Sequence, residues 1–301
     1  MDKTKIQLSR LIDQTAIDAV HSEIIRLAEE TSPGFNSDLY CRHFEKIIDL
    51  YSGRYDGYRE CNTYYHDLNH TVEVALAAAR TVHGAAVSGH IITADETLLL
   101  LIAALLHDTG YIQTIDDTEG TGAKYATIHV KRSIDFSRSY CQTMNCEGMM
   151  ADLEKMILST ELMQTPALLG FKSKTMLELA NILGSADLLG QMANRCYLEK
   201  LLFLYYEFVE GNIKGYNSEK EMLEKTTKFY ELVKTRLYSV LGNVQQYLDS
   251  HFQERWGIDS NLYIDTVEKN IRYLKSVAAS SDHRRMLRRG NIVKTVSEIY
   301  T

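Results

Sequence analysis

Proline occurs only twice in this chain of 301 residues, at Pro33 and Pro166. Proline removes a backbone donor and clashes with the preceding turn, so a sequence that almost avoids it is free to form long uninterrupted helices. Apolar residues also recur three and four apart along most of the chain, which is the helical period. Together these features predict an all-α fold, a multi-helix bundle. The periodic stretches lie at about 6–30, 38–51, 69–87, 95–107, 124–142, 150–161, 175–189, 193–210, 219–248 and 262–279. Breakers such as Thr31-Ser32-Pro33-Gly34 and Ser52-Gly53 separate them.

No internal repeat, low-complexity linker or sustained strand pattern interrupts the sequence. One all-helical domain over 1–301 is therefore expected, with lead-in helices at 1–55, a core at 56–250, and a C-terminal helix and basic tail at 251–301. In that tail His283-Arg284-Arg285 and Arg288-Arg289 read as a solvated, partly ordered end, with a docking segment as the alternative.

Composition narrows the partners. A hydrophobic fraction of 45% and a charged fraction of 24% are ordinary for a globular protein. The net charge of -7 argues against a broad nucleic-acid footprint. The longest apolar run, Leu98 to Leu106, is far short of a membrane span. Five cysteines, odd in number and without CxxC spacing, read as reduced thiols. Met1 to Arg10 is polar and lacks an apolar signal core. A cytoplasmic location with neither nucleic-acid nor membrane partner is the expectation, and self-association stays open.

Three segments carry chemistry. In Tyr65-His66-Asp67-Leu68-Asn69-His70 the two histidines stand at i and i+4, so a helix beginning here projects both from one face. The second segment, Leu98 to Gly110, is a strongly apolar helix ending in His107-Asp108 and closed by Thr109-Gly110. A helix so apolar lies in the core, where an adjacent imidazole and carboxylate need a metal or hydrogen-bond partners. The third segment holds Asp187 inside Ile182-Leu183-Gly184-Ser185-Ala186-Asp187-Leu188-Leu189, again a carboxylate in an apolar helix. Taken singly, each has an ordinary structural explanation. The order His, His-Asp and distant Asp on successive helices is the specific signal.

That order resembles the HD superfamily of metal-dependent phosphohydrolases. Tyr65-His66 followed by His70 resembles more closely the catalytic domain of the class I cyclic-nucleotide phosphodiesterases. Further likeness extends over about residues 60–240: Ile157 to Met163 with Glu161 where an Asp is usual, Ser185-Ala186-Asp187-Leu188, and the helix ending Phe208-Val209-Glu210-Gly211. The resemblance implies two divalent metal ions, and a mixed imidazole and carboxylate set suits zinc, manganese, iron or magnesium. It implies that His70, His107, Asp108 and Asp187 hold the first ion, with Asp108 bridging to the second. His66 becomes the general acid and a hydroxide shared by the metals the nucleophile. The implied activity is hydrolysis of a small phosphoester or nucleotide, with a cyclic 3',5'-nucleotide first. The alternatives are a nucleotide-monophosphatase-like reaction or a non-catalytic signalling scaffold.

The chain departs from those phosphodiesterases in two places. Thr109-Gly110-Tyr111 follows His-Asp where an acidic residue and a histidine are usual. Aligning Thr226-Thr227-Lys228-Phe229 on the purine-binding motif makes Phe229 the base clamp and leaves Thr226 in place of a glutamine amide. His129 is a candidate for the second metal, with a hydrogen bond to a neighbouring carbonyl as the alternative. Glu161 is a candidate second-sphere acceptor or an exposed helix-end carboxylate.

Overall fold

The computed structural model describes residues 6–300, and among them every regular element is helical. A single 3-10 turn, Leu8–Arg10, precedes the helices α1 (Ile17–Thr31), α2 (Ser37–Tyr51), α3 (Leu68–Val87), α4 (Ala94–Leu106) and α5 (His129–Met144). These are followed by α6 (Met150–Leu158), α7 (Lys174–Met192), α8 (Tyr197–Glu210) and α9 (Glu219–Thr235). The last are α10 (Tyr247–Trp256), α11 (Leu262–Ala279), α12 (His283–Met286) and α13 (Ile292–Tyr300). Of two isolated bridges, Ser52 with Glu60 closes the loop after α2 on itself, and Tyr58 with Thr114 joins it to the loop after α4.

The centre of the bundle is α3, in which every residue from His70 to Ala85 is buried. It packs against α1, α4, α7 and α10. Its run of small residues, including Ala75, Ala77, Ala78 and Ala79, is what lets several helices crowd one axis. At Gly84 the approach is closest, since a Cβ there would lie 1.8 Å from the Tyr247 carbonyl oxygen of α10. Beside α3 runs α4, apolar all round and buried for that reason. It begins in a capping box, in which Thr93 and Glu96 each satisfy the other's backbone N–H.

Three expectations are corrected. The stretch 6–30 is not one helix, because the Asp13 side chain accepts hydrogen bonds from both the N–H and the hydroxyl of Thr15 and turns the chain before α1. The stretch 219–248 breaks after α9 into a π-turn, Arg236–Val240, and then passes through Gly242 and Asn243, both at positive φ, before α10. The C-terminal tail is built into the fold rather than solvated. Leu287 and Val296 are buried, Arg284 makes an ion pair with Glu219 on α9, and the Tyr300 ring stacks on Tyr206 of α8 at 4.0 Å.

Candidate functional site

The open end of the bundle collects one side chain from each of several helix ends. Asp67 caps α3, its carboxylate accepting from the His70 N–H at 2.8 Å, and so fixes His70 in the first turn. At the far end of α4, His107 donates from Nδ1 to the Ala104 carbonyl at 2.8 Å, which leaves its Nε2 lone pair facing inward. Asp108 follows at the start of a 3-10 turn, and α7 presents Asp187.

These four converge. His70 Nε2 lies 3.2 Å from Asp108 Oδ2, 3.3 Å from Asp187 Oδ1 and 3.4 Å from His107 Nε2. His107 Nε2 stands 3.3 Å from Asp108 Oδ2 and 3.7 Å from Asp187 Oδ1. The ligand atoms of His70, His107 and Asp187 all lie within 4.8 Å of one another. Burial opposes charge on both imidazoles, yet the carboxylates prevail: His70 is raised to about 10 by Asp108 and Asp187, and His107 is raised chiefly by Asp108. Burial opposes ionisation of Asp108 as well, but His107 and His70 hold it well below the usual carboxylate range. Positive charge is what this cluster demands, and its inward lone pairs suit a divalent cation.

His129 opens α5 on the other side of Asp108. Its Nδ1 donates to the Ala126 carbonyl at 2.8 Å, and its Nε2 lies 3.7 Å from Asp108 Oδ1, the oxygen turned away from His70 and His107. Burial pushes its pKa down, which favours the neutral, ligating form. Asp108 thus offers one oxygen to each flank. Gly110 makes this possible. A Cβ there would lie 2.0 Å from the His129 carbonyl oxygen, so only glycine lets α5 start this close to the end of α4. Gly110 N–H then donates to Ser133 Oγ at 2.9 Å and locks the contact. The unusual Thr109-Gly110 is therefore a packing requirement.

His66 stands beside the cluster, its ring centroid 5.9 Å from that of His70. Its Nδ1 donates to Glu207 Oε2 at 2.7 Å, so Nε2 is the nitrogen left for the cavity. Glu207 Oε1 accepts from the Tyr64 and Tyr65 N–H groups at 2.9 and 2.7 Å, which ties α8 to the loop carrying His66. The His66 ring stacks on Tyr111 at 4.2 Å, and Tyr111 stacks in turn on His129 at 4.5 Å.

A cavity of about 280 Å³ opens in front of these groups, lined at one end by His66, Asp108, His129 and Asp187. Thr226 and Phe229 of α9 line it too, and Glu161 contributes an exposed carboxylate that makes no ion pair or hydrogen bond to the cluster. The Thr226 hydroxyl donates to the Met222 carbonyl at 2.8 Å, so its proton is not available to a ligand.

Sequence reasoning passed over four residues. Glu207 carried the same signal as Asp187, a carboxylate in the apolar run Leu201 to Phe208. Gln191, one turn after Asp187, donates to Asp187 Oδ1 at 3.3 Å and accepts from the Tyr65 hydroxyl at 2.5 Å. Tyr111 follows the His-Asp pair in sequence, but nothing there announces a stacking role. Arg236, buried in the π-turn, donates to the carbonyls of Ser159, Glu161, Leu162 and Gln164 at 2.6 to 2.8 Å and shapes the segment that rims the cavity.

No curated protein and no solved structure matches the chain. A family model described as Npun_R2479-like matches residues 40–271, and every residue that lines the cluster and cavity falls within that span. With more than three quarters of its length matched, the chain belongs to the Npun_R2479-like family.

Proposed function

We propose that the protein is a metal-dependent phosphohydrolase of HD type, one that cleaves a phosphodiester, with cyclic 3',5'-nucleotides as the first substrates to try. The observation that carries this reading is the Glu207–His66 pair opening onto the same small cavity as a two-imidazole, two-carboxylate cluster in which all but the half-buried Asp187 are buried. His70, His107, Asp108 and Asp187 would hold one divalent ion, and the outer oxygen of Asp108 with His129 would hold a second. Zinc, manganese, iron and magnesium all suit these donors. Bound there, such ions supply charge neutralisation for phosphoryl oxygens and an acidified water.

The chain's own residues do the rest. His66 gives the proton from Nε2 to the departing alkoxide oxygen, while Glu207, fixed by two backbone N–H groups, holds the imidazole's orientation and tautomer. Tyr111 keeps the ring plane fixed by stacking.

The test is metal analysis of the purified protein, followed by a screen of cyclic and linear nucleotides with added manganese or magnesium. Ring opening without release of inorganic phosphate is the expected product pattern. Release of phosphate would move the assignment to a monophosphatase-like reaction. Silence across a broad phosphoester panel would favour a scaffold that binds without turnover. Within the reading, His66→Ala should lower turnover by about a hundred-fold or more at wild-type metal content. Asp187→Ala should lose metal, and equal metal loss in both variants would overturn the division of roles.

A further inference from the structure

We infer that the site takes the organic arm of a singly charged phosphodiester by apolar contact alone, so that a bare aromatic ring or short hydrocarbon group binds more tightly than a purine nucleotide or a polyphosphate. The inference rests on the phosphodiester reading of the site and concerns the apolar part of the same cavity's lining. Two stripes at helical spacing make it up: Tyr197, Leu201, Leu204 and Phe208 on α8, of which Tyr197 lies nearest the cluster, and Met222 and Phe229 on α9. Between the helices, Ile213 and Tyr216 close the wall.

Two of the polar side chains in the lining are already committed. Thr226 gives its proton to Met222, and Gln191, the one amide side chain in the lining, is bonded at its nitrogen to Asp187 and at its oxygen to Tyr65. Tyr197 and Tyr216 each carry a single hydroxyl, which donates and accepts at one atom and does not give the side-by-side donor and acceptor with which an amide grips a base edge. A purine seated there would lose its water without regaining its hydrogen bonds.

Charge excludes the other nucleotide class. Among the described residues no lysine or arginine lines the cavity, and the exposed Glu161 adds a negative charge at the rim. A phosphodiester carries one negative charge at the phosphoryl group, which the metal end can balance. The further phosphates of a di- or triphosphate would meet only apolar walls and a carboxylate. The cavity volume, about 280 Å³, is also at the small end for a small-molecule site and leaves no room for a polymer. Apolar walls discriminate poorly among arms of similar size, so a range of aryl and alkyl diesters should be accepted.

The experiment is calorimetric titration of the full chain, metal-free and manganese-loaded, with diphenyl phosphate, cyclic AMP, cyclic GMP and ATP. Turnover of bis(p-nitrophenyl) phosphate and the two cyclic nucleotides is measured alongside. Diphenyl phosphate should bind at least ten-fold more tightly than the nucleotides, and the two cyclic nucleotides should agree within about three-fold, given the weak selectivity of apolar contacts. Leu204→Asn should weaken diphenyl phosphate ten-fold or more while manganese binding is unchanged. If that variant misfolds, Phe229→Ala, at a half-buried position, serves the same purpose. A cyclic nucleotide or ATP binding as tightly as diphenyl phosphate, a ten-fold preference between the purines, or no binding of any probe would overturn the inference. Manganese binding is read in its own titration. Its absence, or inactivity towards every ester, would overturn the hydrolase reading while the preference for an aryl arm could still be read in the metal-free protein.

Discussion

Glu207 is the residue on which the chemistry of His66 turns. Its two oxygens accept three hydrogen bonds, one from the imidazole and two from backbone N–H groups, so its position is over-determined. Glu207→Gln keeps the shape but sets an amide N–H against the Nδ1–H of His66, which forces the ring to another tautomer or orientation. Steady-state kinetics should show kcat reduced by about ten- to a hundred-fold with metal stoichiometry unchanged, because the change acts on the proton donor and not on the ligands. The juxtaposition of His70, His107, Asp108 and Asp187 was legible in the order His, His-Asp and distant Asp on successive helices, and that of His66 in its spacing to His70, whereas no one of these residues announced the site alone. Glu207, like Asp187 a carboxylate in an apolar run, was masked by its neighbours. Tyr205 and Tyr206 beside it give α8 the look of an ordinary amphipathic helix.

At the scale of elements, helical periodicity located the helices, but their ends were decided by side-chain contacts, some local and some distant in sequence. The turn at Asp13 and the π-turn at Arg236 depend on side chains reaching backbone groups, which a count of apolar positions does not register. The seating of α5 against the end of α4 belongs to the same class, because it depends on the missing Cβ of Gly110. Gly110→Ala should force the two helices apart at a cost of about 1–3 kcal/mol. Because His129 moves with α5, metal analysis of that variant should give one ion per chain instead of two. His129→Ala should lose the same ion with little change in the urea midpoint. Full occupancy in both would dismiss the second site.

For the molecule as a whole, several histidines are buried away from the site and resist protonation. Burial lowers His21, His83 and His251, and it lowers His43 to about 4, with Arg42 adding to the effect. The folded state refuses a proton that the unfolded chain accepts below about pH 6.5. Stability from these groups is therefore fully present above that pH and declines as pH falls toward the folded value. For His43 the decline amounts to roughly 3 kcal/mol by pH 4. His43→Gln can still hydrogen-bond to the Tyr140 hydroxyl, which now lies 2.7 Å from His43 Nδ1. Urea titrations from pH 7 to pH 4 should show a shallower loss in this variant than in the parent. An identical slope would mean that acid sensitivity arises elsewhere. The tail is the part of the molecule least legible in sequence, because its charges looked solvent-directed when read alone. Their partners, Glu219 for Arg284 and Glu199 for the backbone N–H groups of Arg288 and Arg289, lie far upstream.

The burial of α3 bears on how such a chain is made. Residues 68–87 leave the ribosome well before α7 and α10, the helices that cover two of its sides. Until synthesis has passed Met192, the alanine-rich axis of the bundle has only α1 and α4 for shelter, and the side that α10 covers stays open until Trp256 has been made. The synthesis of α10 is thus the first moment at which the core can close, and a nascent chain stalled before it presents the surface that chaperones hold and proteases clear.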